Sequence, residues 1–173
     1  MALDQYWAAV LNFIRENDKY IEIALFVFAF AESIIFASVF VPSTLIFIAI
    51  GALEGAAEGP LFSLVVAGAL GALAGDMVSF VIGYRLRGDI GKLWGLRDHP
   101  GLLERAHAFV ARWGIAAVVV SKLAGPLRPI VPMLAGATSM SWPLFLFASA
   151  VSSVIWSVLV LVPAYYGFSA MMN

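Results

Sequence analysis

Apolar residues in this chain fall in long blocks, and the few polar residues inside those blocks are easily picked out. Residues 21–52 are almost wholly apolar, interrupted by Glu32 and then by Pro42-Ser43-Thr44. One crossing of the hydrocarbon core takes about 20 apolar residues, so this block is too long for one span and short for two. A re-entrant hairpin broken near Val41 and Pro42 fits it, and so does a full span from Ile21 to Phe40 followed by a half-helix. Leu53 to Pro60 reads as a short loop carrying Glu54 and Glu58. Residues 61–84 then make a transmembrane helix, and residues 143–166 make another, with Trp142 and Tyr166 placed as interfacial anchors.

Two further stretches show helical spacing with mixed polarity. In residues 3–16, Trp7, Val10, Leu11 and Ile14 share a face against Asp4, Asn12, Arg15 and Glu16. That is the pattern of a short helix lying in the membrane interface, and an ordinary water-facing helical turn fits equally well. Asn17 and Asp18 are good residues to start the helix that follows. In residues 85–113 the second half repeats the pattern, with Leu102, Leu103, Ala106, Val110 and Trp113 on one stripe beside Glu104, Arg105 and Arg112. Asp98 is placed to cap it.

Residues 115–137 are apolar again but cannot form a simple span. Pro126, Pro129 and Pro132 each remove a backbone donor, and an interior proline costs roughly 3 kcal/mol. The backbone is expected to break at Gly125 and Pro126, with Pro129 and Pro132 as further breaks, and Pro42 as the break of the first block. Broken backbone at membrane depth is tolerated where it is buried in protein or lines a wet cavity. The stretch therefore reads as a second re-entrant hairpin with a cationic tip, Lys122 and Arg128. The order of broken segment, span, basic loop, broken segment, span is a candidate inverted repeat. The expected fold is an all-α membrane protein: two opposed re-entrant helical hairpins plus transmembrane helices and interfacial amphipathic helices, in a pseudo-inverted repeat within one membrane domain, 1–173.

Composition agrees. The 173 residues are 62% hydrophobic and 12% charged, far from the globular balance. Ten Lys plus Arg against eleven Asp plus Glu leave no basic field for nucleic acid. Six of those ten cations, Arg85, Arg87, Lys92, Arg97, Arg105 and Arg112, fall in the loop 85–112, which the positive-inside rule places in the cytoplasm. With no cysteine there are no disulfides, thiolate chemistry or cysteine metal sites. His99 and His107 lack a third ligand nearby, so no metal and no cofactor is expected. The first residues show no basic region before an apolar run, so no signal peptide is expected.

Apart from Glu22 at the very start of the first block, four ionisable residues stand inside the apolar blocks: Glu32, Asp76, Lys122 and Arg128. Each costs about 2.5 to 3.5 kcal/mol at bilayer depth, so four unpaired charges would cost on the order of 10 kcal/mol or more. They must meet one another, water or a ligand. The bland reading makes them buried pairs that pin the hairpins together, with little net gain in stability. The functional reading makes Lys122 and Arg128, beside freed backbone donors, a site for a phosphate or another anion. A carboxylate in apolar surroundings is drawn towards its neutral form, which suits Glu32 to take up and release protons, with Asp76 as its aid in proton coupling. Gly71 and Gly75 have the spacing that lets helices approach closely, within the chain or in a homo-oligomer. Ser149, Ser153 and Ser157 give the last helix one polar face, a pattern that serves helix packing more often than a pathway. No Ser-His-Asp, paired-His or phosphate-loop arrangement points to an enzyme.

The run Lys122-Leu-Ala-Gly-Pro-Leu-Arg128-Pro, followed by Pro132 and Ala135-Gly136, resembles the signature of the DedA family, also called the SNARE-associated or VTT-domain family. Glu32 ahead of Pro42, and Gly75-Asp76 with Gly83, resemble its other two motifs. The chain departs from the family in reading Gly125-Pro126 where Pro-Gly is usual, Ser43 and Thr44 where an acid is common, and Phe80 where tyrosine is common. The resemblance implies two opposed re-entrant hairpins and movement of lipids between leaflets. Bacterial members are associated with undecaprenyl phosphate or phospholipid and with the proton motive force, eukaryotic ones with scramblase activity. By motif match the essential acid is Glu32 and the basic pair is Lys122 and Arg128.

These lines together lead to a lipid transporter, flippase or scramblase, of the DedA type in the bacterial inner membrane, multi-pass, its partners membrane lipids, with lipid phosphate foremost, and protons. Two other classes use the same residues. One is a proton- or cation-coupled antiporter for small solutes or drugs, the other a membrane-organising protein in which the four charges are structural.

Overall fold

The computed structural model describes residues 16–34, 43–86, 100–123, 128–138 and 140–172. Those residues form seven helices: α1 Asp18–Glu32, α2 Ser43–Ala57, α3 Leu61–Leu86, α4 Pro100–Trp113, α5 Ile115–Ser121, α6 Ile130–Ala137 and α7 Trp142–Met172. The stretch 3–16, the break at Pro42, the Asp98 cap and the tip at Gly125 and Pro126 lie outside the described residues.

Two helices, α3 and residues Trp142–Gly167 of α7, are long and apolar enough to cross a membrane. They run antiparallel, because Ser149 of α7 meets Asp76 of α3 while Ser157 meets Val65. Their outward faces carry exposed Phe62, Leu70 and Val81 on α3 and Phe147, Val154 and Leu159 on α7. An apolar outer surface of this extent suits lipid and not water.

The shorter helices pack on this pair in a crossed pattern. α1 lies on α3 and α2 on α7, whereas α5 lies on α7 and α6 on α3. Each broken segment thus sends its first arm to the long helix of its own half and its second arm to that of the other half. Close approach depends on glycine at several of these contacts. A Cβ on Gly71 would strike the Phe26 carbonyl of α1, and one on Gly83 the Met133 carbonyl of α6. The Gly71 and Gly75 pair therefore serves a contact inside the chain.

Two expectations need correction. Leu53–Ala57 is not loop but the last part of α2, and Glu54 is buried there at 1% exposure. The helix runs on because Gly55 lets its backbone lie against the Tyr165 carbonyl of α7. Pro132 does not break the second segment: it is the third residue of α6, where the missing N–H would have no helical acceptor anyway. Pro129 does fall at a boundary, directly ahead of α6. The last helix also runs past Tyr166, through Pro163, to Met172.

Among the described residues the core has two apolar clusters. One gathers Phe80, Val118, Ile130, Leu134 and Phe145, the other Leu25, Phe47, Leu64, Trp156 and Leu161. Asp76 stands between Ala72 of one cluster and Phe80 of the other along α3, and Ser149 to Ser153 stand between Ala148 and Trp156 along α7. A polar layer is thereby held between two dry ones. At 1.5 Å per residue Asp76 lies about 15 Å in from Leu86, half of a hydrocarbon core about 30 Å thick.

Candidate functional site

The chain brings all four intramembrane charges into that layer, as two crossed ion pairs. Lys122, just after α5, places its Nζ 2.6 Å from Asp76 Oδ2. Arg128, just before α6, places its Nη1 2.5 Å from Glu32 Oε2. In each pair the first half supplies the acid and the second half supplies the base.

Local packing fixes each partner. Glu32 ends α1, and the next residue is tied down: the Ser79 hydroxyl donates to the Ser33 carbonyl at 2.8 Å. A Cβ on Gly75 would meet the Phe30 carbonyl, so α1 comes close enough to α3 to deliver Glu32 to the layer. Asp76 is a central residue of α3 and fully buried. Lys122 and Arg128 flank the proline-rich break, each 4% exposed. Two acids against two bases leave the layer formally neutral, which offsets much of the cost of placing charge at this depth.

Helix α7 adds a second set of contacts, which the sequence did not assign to the site. The Ser149 hydroxyl donates to Asp76 Oδ2 at 2.5 Å, so that one oxygen serves both Ser149 and Lys122. The Trp156 ring lies under the Arg128 guanidinium, whose carbon stands 3.8 Å from the ring centroid. Phe47 meets the same indole edge-on at 4.9 Å. The serine stripe divides accordingly. Ser157 is packing glue, donating to the Val65 carbonyl at 2.9 Å, while Ser149 belongs to the charged layer. A tryptophan in the middle of a spanning helix, away from the interfaces that tryptophan favours, was the signal that could have found Trp156.

Arg128 is only partly used. Its Nε and Nη2 are buried and have no hydrogen-bond partner among the described residues, and the same holds for Asp76 Oδ1 and Ser153 Oγ. Buried donors left unmatched cost about 1 to 3 kcal/mol each, so they mark a place where a ligand atom would be bound favourably. Among the described residues no cluster of His, Asp and Glu could hold a metal ion.

A buried layer of crossed acid–base pairs, in a frame whose outer face is apolar, defines a membrane protein with a polar centre. The model of the VTT domain matches residues 41–166, and the chain belongs to that family, the DedA family. It is similar to the inner membrane protein YabI of Escherichia coli (strain K12), with 28% identity over 149 residues, 86% of this chain and 59% of that protein. It is also similar to an uncharacterized membrane protein of Buchnera aphidicola subsp. Baizongia pistaciae (strain Bp), 23% identical over 94% of this chain and 63% of the relative. The uncharacterized membrane protein Rv2637 of Mycobacterium tuberculosis (strain ATCC 25618 / H37Rv) is 32% identical over 53% of this chain and 44% of its own. The chain spans about three fifths of the length of the first two. No solved structure matches it.

Proposed function

We propose that the chain moves an anionic lipid between leaflets, the head group passing through the charged layer while the acyl or polyprenyl tail stays in the bilayer. The observation that carries this reading is the meeting of Glu32, Asp76, Lys122 and Arg128 at membrane depth, with guanidinium donors of Arg128 unmatched among the described residues. Lys122 and Arg128 receive the phosphate of the head group, of undecaprenyl phosphate or a phospholipid. Glu32 and Asp76 take up protons, which loosens the ion pairs and lets the loaded head group pass. Residues 21–52 and 115–137 act as re-entrant hairpins entering from opposite faces. The crossed packing of their arms on α3 and α7 supports that inverted arrangement. The protein sits as a multi-pass protein in the bacterial inner membrane, with the basic loop 85–112 in the cytoplasm. It carries out no covalent chemistry.

Leaflet exchange in proteoliposomes tests the reading. Labelled polyprenyl phosphate and labelled phospholipid are compared with and without a pH gradient, in the parent and in Arg128→Ala. Exchange that needs Arg128 and speeds up under the gradient is the expected result. Exchange no faster than in empty vesicles, from folded protein, would sink it and return the antiporter and organising roles to first place.

A further inference from the structure

The geometry of Arg128 assigns a positioning role to Trp156. We propose that the Trp156 ring clamps the guanidinium so that Nη1 stays on Glu32 while Nε and Nη2 together receive two oxygens of one phosphate. The inference rests on the anion-binding reading above and specifies how that site is loaded.

Three observations carry it. First, the carboxylate of Glu32 takes only Nη1, although a guanidinium can offer a carboxylate two parallel donors. Second, Nε and Nη2, which form one edge of the planar group, are buried and unpartnered among the described residues. Such an edge matches two oxygens of a phosphate in a way that a lysine ammonium cannot. Third, the guanidinium is held flat by an aromatic face at 3.8 Å, and that ring is itself braced by Phe47. A ring contact restrains the plane of the group without consuming any N–H, so it orients the free edge and leaves it available.

Two consequences follow. Loading does not require the Arg128–Glu32 pair to break, so proton uptake serves the movement of the loaded head group and not its capture. The site also favours ligands that present two coplanar acceptor oxygens, phosphate monoesters and diesters, over halides and other single-point anions.

The test uses the full chain in proteoliposomes, with labelled polyprenyl phosphate at increasing mole fraction. Trp156→Leu is expected to raise the half-saturating level about tenfold with the maximal rate little changed, and Trp156→Phe, which keeps an aromatic face, by about twofold. Arg128→Lys keeps the charge and is expected not to restore parental saturation. Parental half-saturation in Trp156→Leu, alongside an inactive Arg128→Ala, would overturn the clamp and leave the anion-binding reading standing. Parental exchange in Arg128→Ala would overturn both. A folding failure of the leucine variant is met by a second measurement, on protein in which Trp7, Trp94, Trp113 and Trp142 are replaced by Phe. Glycerol phosphate is expected to shift Trp156 emission in that protein, sodium chloride at equal ionic strength is not, and the shift is expected to vanish with Arg128→Lys. Equal responses to the two salts would overturn the clamp.

Discussion

The two ion pairs of the charged layer share composition and depth but differ in how they are held. Lys122 and Asp76 are sealed, with side chains 2% and 0% exposed, and Asp76 is rooted in the middle of a long helix. Arg128 and Glu32 are 4% and 14% exposed, and each stands at a helix boundary. The third partner differs as well. A hydroxyl from Ser149 completes the first pair by hydrogen bonding, whereas an aromatic face from Trp156 supports the second without using a donor. The first pair is the more tightly enclosed of the two and, on the proposed function, the harder to open. The second has guanidinium donors unmatched among the described residues and a less enclosed acid, features that suit the binding and opening proposed for it.

The largest expected effect follows from removing one partner of each. Breaking a buried pair strands a charge, at a cost of about 3 to 5 kcal/mol. Lys122→Ala should show that full cost in thermal unfolding of the purified protein, because Asp76 has no route to water. Arg128→Ala should cost less, about 1 to 3 kcal/mol, since Glu32 ends its helix and is less fully enclosed than Asp76. Replacing both members of the sealed pair, Lys122→Met with Asp76→Leu, should recover most of the loss, as well-packed apolar substitutes for buried pairs generally do. Equal losses for the two alanine variants would erase the distinction between the pairs.

A smaller effect on stability and a sharper one on function are expected from Glu32→Gln. The amide keeps a hydrogen bond to Arg128 and gives up the charge, so the cost should be about 1 to 2 kcal/mol. Lipid exchange should then run at the same rate with and without a pH gradient. Asp76→Asn, in the sealed pair, should keep more than half of the gradient response of the parent. Equal loss in the two variants would give both acids the same share of proton handling.

Much of this layer was legible in the sequence, because ionisable residues in apolar blocks must be satisfied somewhere. That necessity brought Glu32, Asp76, Lys122 and Arg128 forward as a set. Which acid meets which base was not legible. It depends on the crossed packing of α6 on α3 and α5 on α7, which glycine contacts such as Gly83 against Met133 permit only in three dimensions. The long helices were legible from hydropathy alone. Glu54 was misread as loop because an acid among glycines looks like a turn, whereas Gly55 serves a helix contact with Tyr165. Trp156 and Ser149 were hidden for a different reason. Hydroxyl side chains are common on packed helices, and the mid-helix place of Trp156 marks it as unusual without saying that it faces a charge.

The smallest effect is expected at Ser149. Its hydroxyl shares Asp76 Oδ2 with Lys122, so Ser149→Ala removes one of two donors from an oxygen that keeps the other. The loss in stability should be about 1 kcal/mol, with the gradient response of lipid exchange unchanged. A double-mutant cycle makes the variant informative. Combined with Asp76→Asn, Ser149→Ala should show a coupling of about 1 kcal/mol, because the two touch; combined with Glu32→Gln it should be additive within about 0.5 kcal/mol, because Glu32 belongs to the other pair. If Ser149 couples to Glu32 as strongly as to Asp76, the four charges form one network with a shared set of states. The sealed pair would then open whenever the loose one does, and protons taken up at Glu32 would be felt at Lys122.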